Sequence, residues 1–130
     1  MTKNILLVDD ELITNIVHKS MLERSASSGY IESVNNGQQA IKFLEDRIAE
    51  KTPLPDVIFL DINMPVMNGF QFLEELQHHF AIRREAITII MLSSSIDKRD
   101  RDRAKELGVE TFICKPLDYQ AIDSVLAGDG

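Results

Sequence analysis

The stretch Val57-Ile58-Phe59-Leu60-Asp61 constrains this chain more than any other. Four consecutive large apolar residues, with no polar alternation, predict a strand buried on both faces. The run stops at a carboxylate, and Pro65, Asn68 and Gly69 mark the loop that follows. In an open parallel sheet, ligands and chemistry collect at the carboxyl ends of the strands. Asp61 is therefore either a strand terminator or a reactive group on display, and this stretch alone leaves both open.

Comparable runs recur along the chain. Asn4–Val8 ends in Asp9-Asp10-Glu11, Ala86–Leu92 ends in Ser93-Ser94-Ser95, and Thr111–Cys114 leads into Lys115-Pro116. Tyr30–Val34 is short and partly alternating, which suits an edge strand. Helical spacing fills the intervals. Ile13, Ile16, Val17 and Met21 predict a helix from about Leu12 to Ser25, closed by Ser27-Ser28-Gly29. Asn35-Asn36-Gly37 turns the chain into a second helix lined by Ala40, Phe43, Leu44 and Ile48. Pro53 and Pro55 then end helical structure, because each lacks an N–H and disfavours helix in the residue before it.

Phe70, Leu73, Leu76 and Phe80 mark a third helix, on which His78 and His79 are placed. Asp97–Glu106 is heavily charged, with Ile96, Ala104 and Leu107 as its apolar anchors, so this fourth helix should pack thinly. Gly108 ends it. Ile122, Val125 and Leu126 give a closing amphipathic helix behind Asp118. Strand followed by helix, about five times over, predicts a parallel sheet with helices on both faces and right-handed crossovers.

The chain has 130 residues, the size of one domain, and shows no internal repeat, low-complexity tract or linker. Residues 1–130 thus read as a single domain. A net charge of -7 argues against a nucleic-acid footprint spread over the surface. Cys114 is the only cysteine, so no internal disulfide can form, and a reducing cytoplasm is the simplest compartment. Its neighbours Phe112 and Ile113 predict a buried, structural thiol. The apolar run Ile5–Val8 is too short for a signal-peptide core, and no stretch is long enough to span a membrane. His18, His78 and His79 lack a second ligand at metal spacing, which assigns none of them a metal or catalytic role.

The strand ends share one edge of such a sheet. They bring Asp9, Asp10 and Asp61 together with Ser93 and Lys115. Any one polar residue at a strand–loop junction is ordinary; this combination from four strands is not. Crowded carboxylates raise one another's pKa unless a cation offsets their charge, and a hard divalent ion such as Mg²⁺ suits an all-oxygen set. No His base stands beside a Ser, so acyl transfer is unsupported. An Asp nucleophile, a metal, an amine and a hydroxyl fit phosphoryl transfer.

Val8-Asp9-Asp10-Glu11, the segment Asp61 to Gly69, Met91-Leu92-Ser93 and Phe112-Ile113-Cys114-Lys115-Pro116 resemble the motifs of bacterial response-regulator receiver domains. The resemblance covers nearly the whole chain. It implies a flavodoxin-like, doubly wound (βα)5 fold with a five-stranded parallel sheet in the order 2-1-3-4-5. It also implies roles by position. Asp61 matches the phosphoacceptor, charged by a histidine kinase or histidine phosphotransfer protein. Asp10 matches the direct Mg²⁺ ligand, Asp9 the carboxylate acting through metal-bound water, and Asn63 the residue whose backbone carbonyl binds the metal. Ser93 matches the hydroxyl that turns toward the phosphoryl group, Lys115 its cationic partner, and Phe112 the aromatic that reports the movement. Ser at 93 for the commoner Thr, and Phe at 112 for Tyr, are both frequent in the family.

Such a domain is no conventional enzyme, but it catalyses its own phosphorylation and dephosphorylation. It signals to a downstream protein through the face of its fourth helix, fifth strand and fifth helix, in some cases as a phosphorylation-dependent dimer, with no nucleic acid or membrane as partner of the domain itself. The resemblance also implies a cis peptide before Pro116, which would let the Lys115 amine reach back while the chain departs into the last helix. A magnesium-dependent phosphatase would carry Asp-x-Asp after its first strand, whereas Asp9 and Asp10 are adjacent. A flavodoxin needs a phosphate loop there, which Asp-Asp-Glu-Leu cannot form. The alternative is a non-phosphorylated pseudo-receiver acting as a protein-binding module; it would be expected to lack Asp61, Asp10 or Lys115.

Overall fold

A computed structural model describes residues 3–25, 28–79, 86–94 and 97–127. Five strands and five helices alternate: β1 Lys3–Val8, α1 Leu12–Arg24, β2 Ser28–Val34, α2 Gly37–Ala49, β3 Val57–Leu60, α3 Gly69–His78, β4 Thr88–Ser93, α4 Lys98–Glu106, β5 Thr111–Cys114 and α5 Tyr119–Leu126. All strand pairs are parallel, in the order β2-β1-β3-β4-β5. The expected architecture and strand order are both present, and β2 lies at an edge.

The apolar strands sort their side chains to two cores. Leu6, Val8, Ile58, Leu60, Ile89 and Met91 face one cluster, completed by α2, α3 and α4 through residues such as Leu44, Leu73 and Ala104. Ile5, Leu7, Val57, Phe59, Ile90 and Leu92 face the other, closed by Leu22 of α1 and by Ile122 and Val125 of α5. Period-2 alternation thus delivers apolar atoms to both sides, which is why the central runs contain no polar residue.

Helix starts are set locally. Asn36, Asn68, Asp97 and Asp118 cap α2, α3, α4 and α5, each accepting from a backbone N–H three residues on. At α3, Gln71 reaches back to the Asn68 N–H and completes a capping box. Gly69 opens that helix because a Cβ there would lie 2.5 Å from the Asp61 carbonyl oxygen. The α3 start is therefore packed directly on the backbone that carries Asp61.

Four expectations need correction. Cys114 is exposed rather than buried, because β5 is the outermost strand and Cys114 its last residue. The apolar stripe of α1 located the helix but not its buried face: Leu12, Ile13, Ile16 and Val17 are exposed, while Asn15, His18 and Leu22 pack inward. His79 caps α3 rather than lying within it. β4 begins at Thr88, two residues later than the apolar run suggests. Phe80, Ile96, Ser27 and Ser95 lie outside the described residues. The thin packing expected of α4 holds, since Ala104 is its one buried residue. The Lys115–Pro116 peptide is cis.

Candidate functional site

Parallel pairing in register sets the site. Val8 pairs with Leu60, Leu60 with Met91, and Ser93 with Cys114. The residues just beyond therefore emerge side by side at one rim. Asp61 continues the ladder, its N–H donating to the Val8 carbonyl at 2.9 Å, and Lys115 does the same to the Ser93 carbonyl at 2.9 Å. Carboxylate oxygens of Asp9, Asp10 and Asp61 lie within 4.8 Å of one another. Asp9 and Asp61 are buried and Asp10 is exposed.

Lys115 Nζ is 2.6 Å from Asp9 Oδ2, 3.4 Å from Asp61 Oδ2 and 3.4 Å from Glu11 Oε1. Burial pushes the Lys115 pKa down, but the close contact with Asp9 and the charges of Asp61 and Asp9 outweigh it and leave the value raised. Asp61 moves the other way from a usual carboxylate. Burial first, and the Asp9 charge second, raise it from 3.8 to about 6, with Lys115 opposing. The single, partly buried ammonium of Lys115 does not neutralise the clustered carboxylates.

The donor set fits a hard divalent cation. Asp9 Oδ2 is buried and accepts no well-directed hydrogen bond, although the Lys115 ammonium stands against it. Proximity and charge hold that contact; its direction is poor. The oxygen therefore keeps lone-pair capacity for a metal or a metal-bound water.

Ser93 is buried at the end of β4, beside β3 and β5. Phe112, two residue pairs earlier, is partly buried against the α2–α3–α4 core, with the Arg101 guanidinium 6.0 Å from its ring centroid. Asn63 is exposed in the loop after Asp61. Thus Asp9, Asp10, Asp61 and Lys115 are brought into one cluster, and Ser93 flanks it on the adjoining strand. Glu11 was not singled out by sequence reasoning beyond its place in the first motif, yet it pairs with Lys115, and its N–H donates to Asp9 Oδ1 at 2.9 Å. Asn15 and His18 gave no signal at all. Asn15 Nδ2 donates to the Asp9 carbonyl at 2.9 Å, and His18 Nε2 accepts from the Leu117 N–H at 3.3 Å.

Residues 5–127 match the response regulator receiver domain model. This chain belongs to that family. Among relatives of this receiver is a protein-glutamate methylesterase/protein-glutamine glutaminase from Halalkalibacterium halodurans, 34% identical over 92% of the chain; the chain spans only 32% of that protein. A two-component response regulator from Cytophaga hutchinsonii superposes with a TM-score of 0.88 at 29% identity, covering 99% of the receiver and 98% of its own chain. The phosphorylated cyanobacterial phytochrome response regulator RcpA superposes with a TM-score of 0.78 at 26% identity, covering 98% and 91%. Among the described residues, no helix of the receiver is long and apolar enough to cross a membrane.

Proposed function

We propose that Asp61 accepts a phosphoryl group from a phosphohistidine donor, a histidine kinase or a histidine phosphotransfer protein, in a Mg²⁺-dependent reaction. The observation that carries this reading is the meeting of three carboxylates within 4.8 Å with a partly buried ammonium 3.4 Å from Asp61. Asp9, Asp10, Asp61 and the Asn63 carbonyl would hold the cation, which when bound offsets carboxylate charge and orients phosphoryl oxygens. An Asp61 oxygen bonds to phosphorus as the phosphorus–imidazole bond breaks, and the electron pair stays on the leaving ring. Lys115 offsets the charge on the transferred group. Water later cleaves the acyl phosphate at the same site. The phosphorylated state of the cyanobacterial relative supports this chemistry.

The exposed α1 residues Leu12, Ile13, Ile16 and Val17 support that helix as the donor's docking face. Of these, Ile13 and Val17 line a cavity of about 340 Å³ that reaches Lys115 and Pro116. On the output side, Ser93 turns toward the phosphoryl oxygens, Phe112 follows, and the face of α4, β5 and α5 changes for a downstream protein or a second copy. We read residues 1–130 as one receiver domain, with the family match over 5–127 as support. A reducing cytoplasm suits its single, exposed thiol. Transfer of radiolabelled phosphate from a phosphorylated histidine phosphotransfer protein tests the reading. Label should move to the chain in Mg²⁺ and stay on the donor in EDTA; equal transfer in both would overturn it.

A further inference from the structure

We infer that His18 is a positioning residue that fixes the backbone carrying Lys115, and so sets the reach of its ammonium. The inference rests on the proposed role of Lys115. That residue sits between two tied backbone amides. Its own N–H donates to the Ser93 carbonyl at 2.9 Å, and Pro116 has no N–H to give. The next donor is the N–H of Leu117, a residue only 3% exposed. A buried amide without a partner is costly, and His18 Nε2 takes it at 3.3 Å.

His18 is itself 2% exposed and stands with Asn15 and Leu22 on the inward face of α1. An apolar residue would satisfy packing at that position. It would not accept a hydrogen bond. Accepting through Nε2 requires a neutral ring protonated at Nδ1. Burial, with Lys115 adding to it and Asp9 opposing, lowers the His18 pKa and keeps the ring in that form. α1 thereby holds both ends of the site: Asn15 ties the Asp9 carbonyl, and His18 ties the turn after β5, which carries the partner of Asp9.

The test compares His18→Leu, His18→Gln, Lys115→Ala and the His18→Leu/Lys115→Ala double variant, using acetyl phosphate as donor. Folding is monitored by thermal melting in Mg²⁺. His18→Leu should slow phosphorylation about tenfold while remaining folded, and His18→Gln, which can still accept, should recover most of the rate. In the Lys115→Ala background the His18→Leu change should have no further effect, because it acts through that amine. Loss of the downfield Leu117 amide resonance in His18→Leu alone would report the broken bond. Should Lys115→Ala be slow while His18→Leu matches wild type, or should the two effects simply add, the inference fails and the proposed function stands. If Lys115→Ala itself matches wild type, the proposed role of Lys115 fails, and the inference with it.

Discussion

The Lys115 ammonium stands closer to Asp9, at 2.6 Å, than to Asp61, at 3.4 Å. Without a cation, the amine is thus engaged mainly with a proposed metal-side carboxylate. Removing one partner of a buried ion pair strands the other, which costs about 3–5 kcal/mol when burial is complete. Lys115→Met should therefore lower stability in EDTA by roughly 3 kcal/mol. A divalent ion binding only the folded state should restore part of that loss and also raise wild-type stability. Urea unfolding across a Mg²⁺ titration measures both. Asp10→Ala should abolish most of the wild-type gain.

Asp61 makes stability depend on pH in an unusual direction. Its pKa is raised from 3.8 to about 6, so the folded state holds this proton more tightly than the unfolded chain does. The resulting stabilisation is complete below the unfolded value and is lost as pH rises through the folded value. In EDTA, Asp61→Asn mimics the protonated form and should stabilise the protein at pH 7.5 by on the order of 2 kcal/mol. The gain should shrink below pH 6 and vanish near pH 4. Denaturant curves at those values check it, and a constant difference across the range would assign the effect to another cause.

Exposure of Ile13 at 76% and Ile16 at 58% separates binding from folding at α1. The Ile13→Ser/Ile16→Ser variant should unfold within about 0.5 kcal/mol of wild type per site, as surface changes usually do. Phosphorylation by acetyl phosphate should be unchanged. Transfer from a phosphohistidine protein should slow by tenfold or more. Stopped-flow quenching with both donors makes the comparison.

Of the five helices, α4 buries the fewest residues. Ala104 is its one buried residue, and two arginines anchor its outer face. Arg103 pairs with Glu74 at 2.9 Å and lies 4.6 Å from the Phe70 ring centroid, while Arg101 lies 6.0 Å from that of Phe112. These exposed contacts contribute little each. Adding beryllofluoride with Mg²⁺ should change amide exchange in α4 and β5 well beyond any change in α2. An equal response in all three would remove α4 from the signalling account.

The fold was legible because the strands are buried on both faces, and an unbroken run such as Val57–Leu60 has few other uses. Asp9, Asp10, Asp61, Ser93 and Lys115 were legible because each ends or follows a strand, and parallel register places strand ends together. What escaped was set by neighbours distant in sequence. The exposure of the α1 stripe depends on which side of the helix meets the sheet, and Asn15 and His18 on the inward side look like surface residues by type. His18 finds its partner 99 residues away. Cys114 reads as core by its neighbours and is exposed by its place at the end of an edge strand.

The central claim is that Asp61 carries the phosphoryl group, and intact mass spectrometry after incubation with acetyl phosphate and Mg²⁺ tests it most directly. The wild-type chain should gain one phosphoryl group and fail to gain it in EDTA. Asp61→Asn, expected to be at least as stable as wild type, should gain none. A wild-type mass that does not change, or an Asp61→Asn variant that is modified as fully as wild type, would contradict the account.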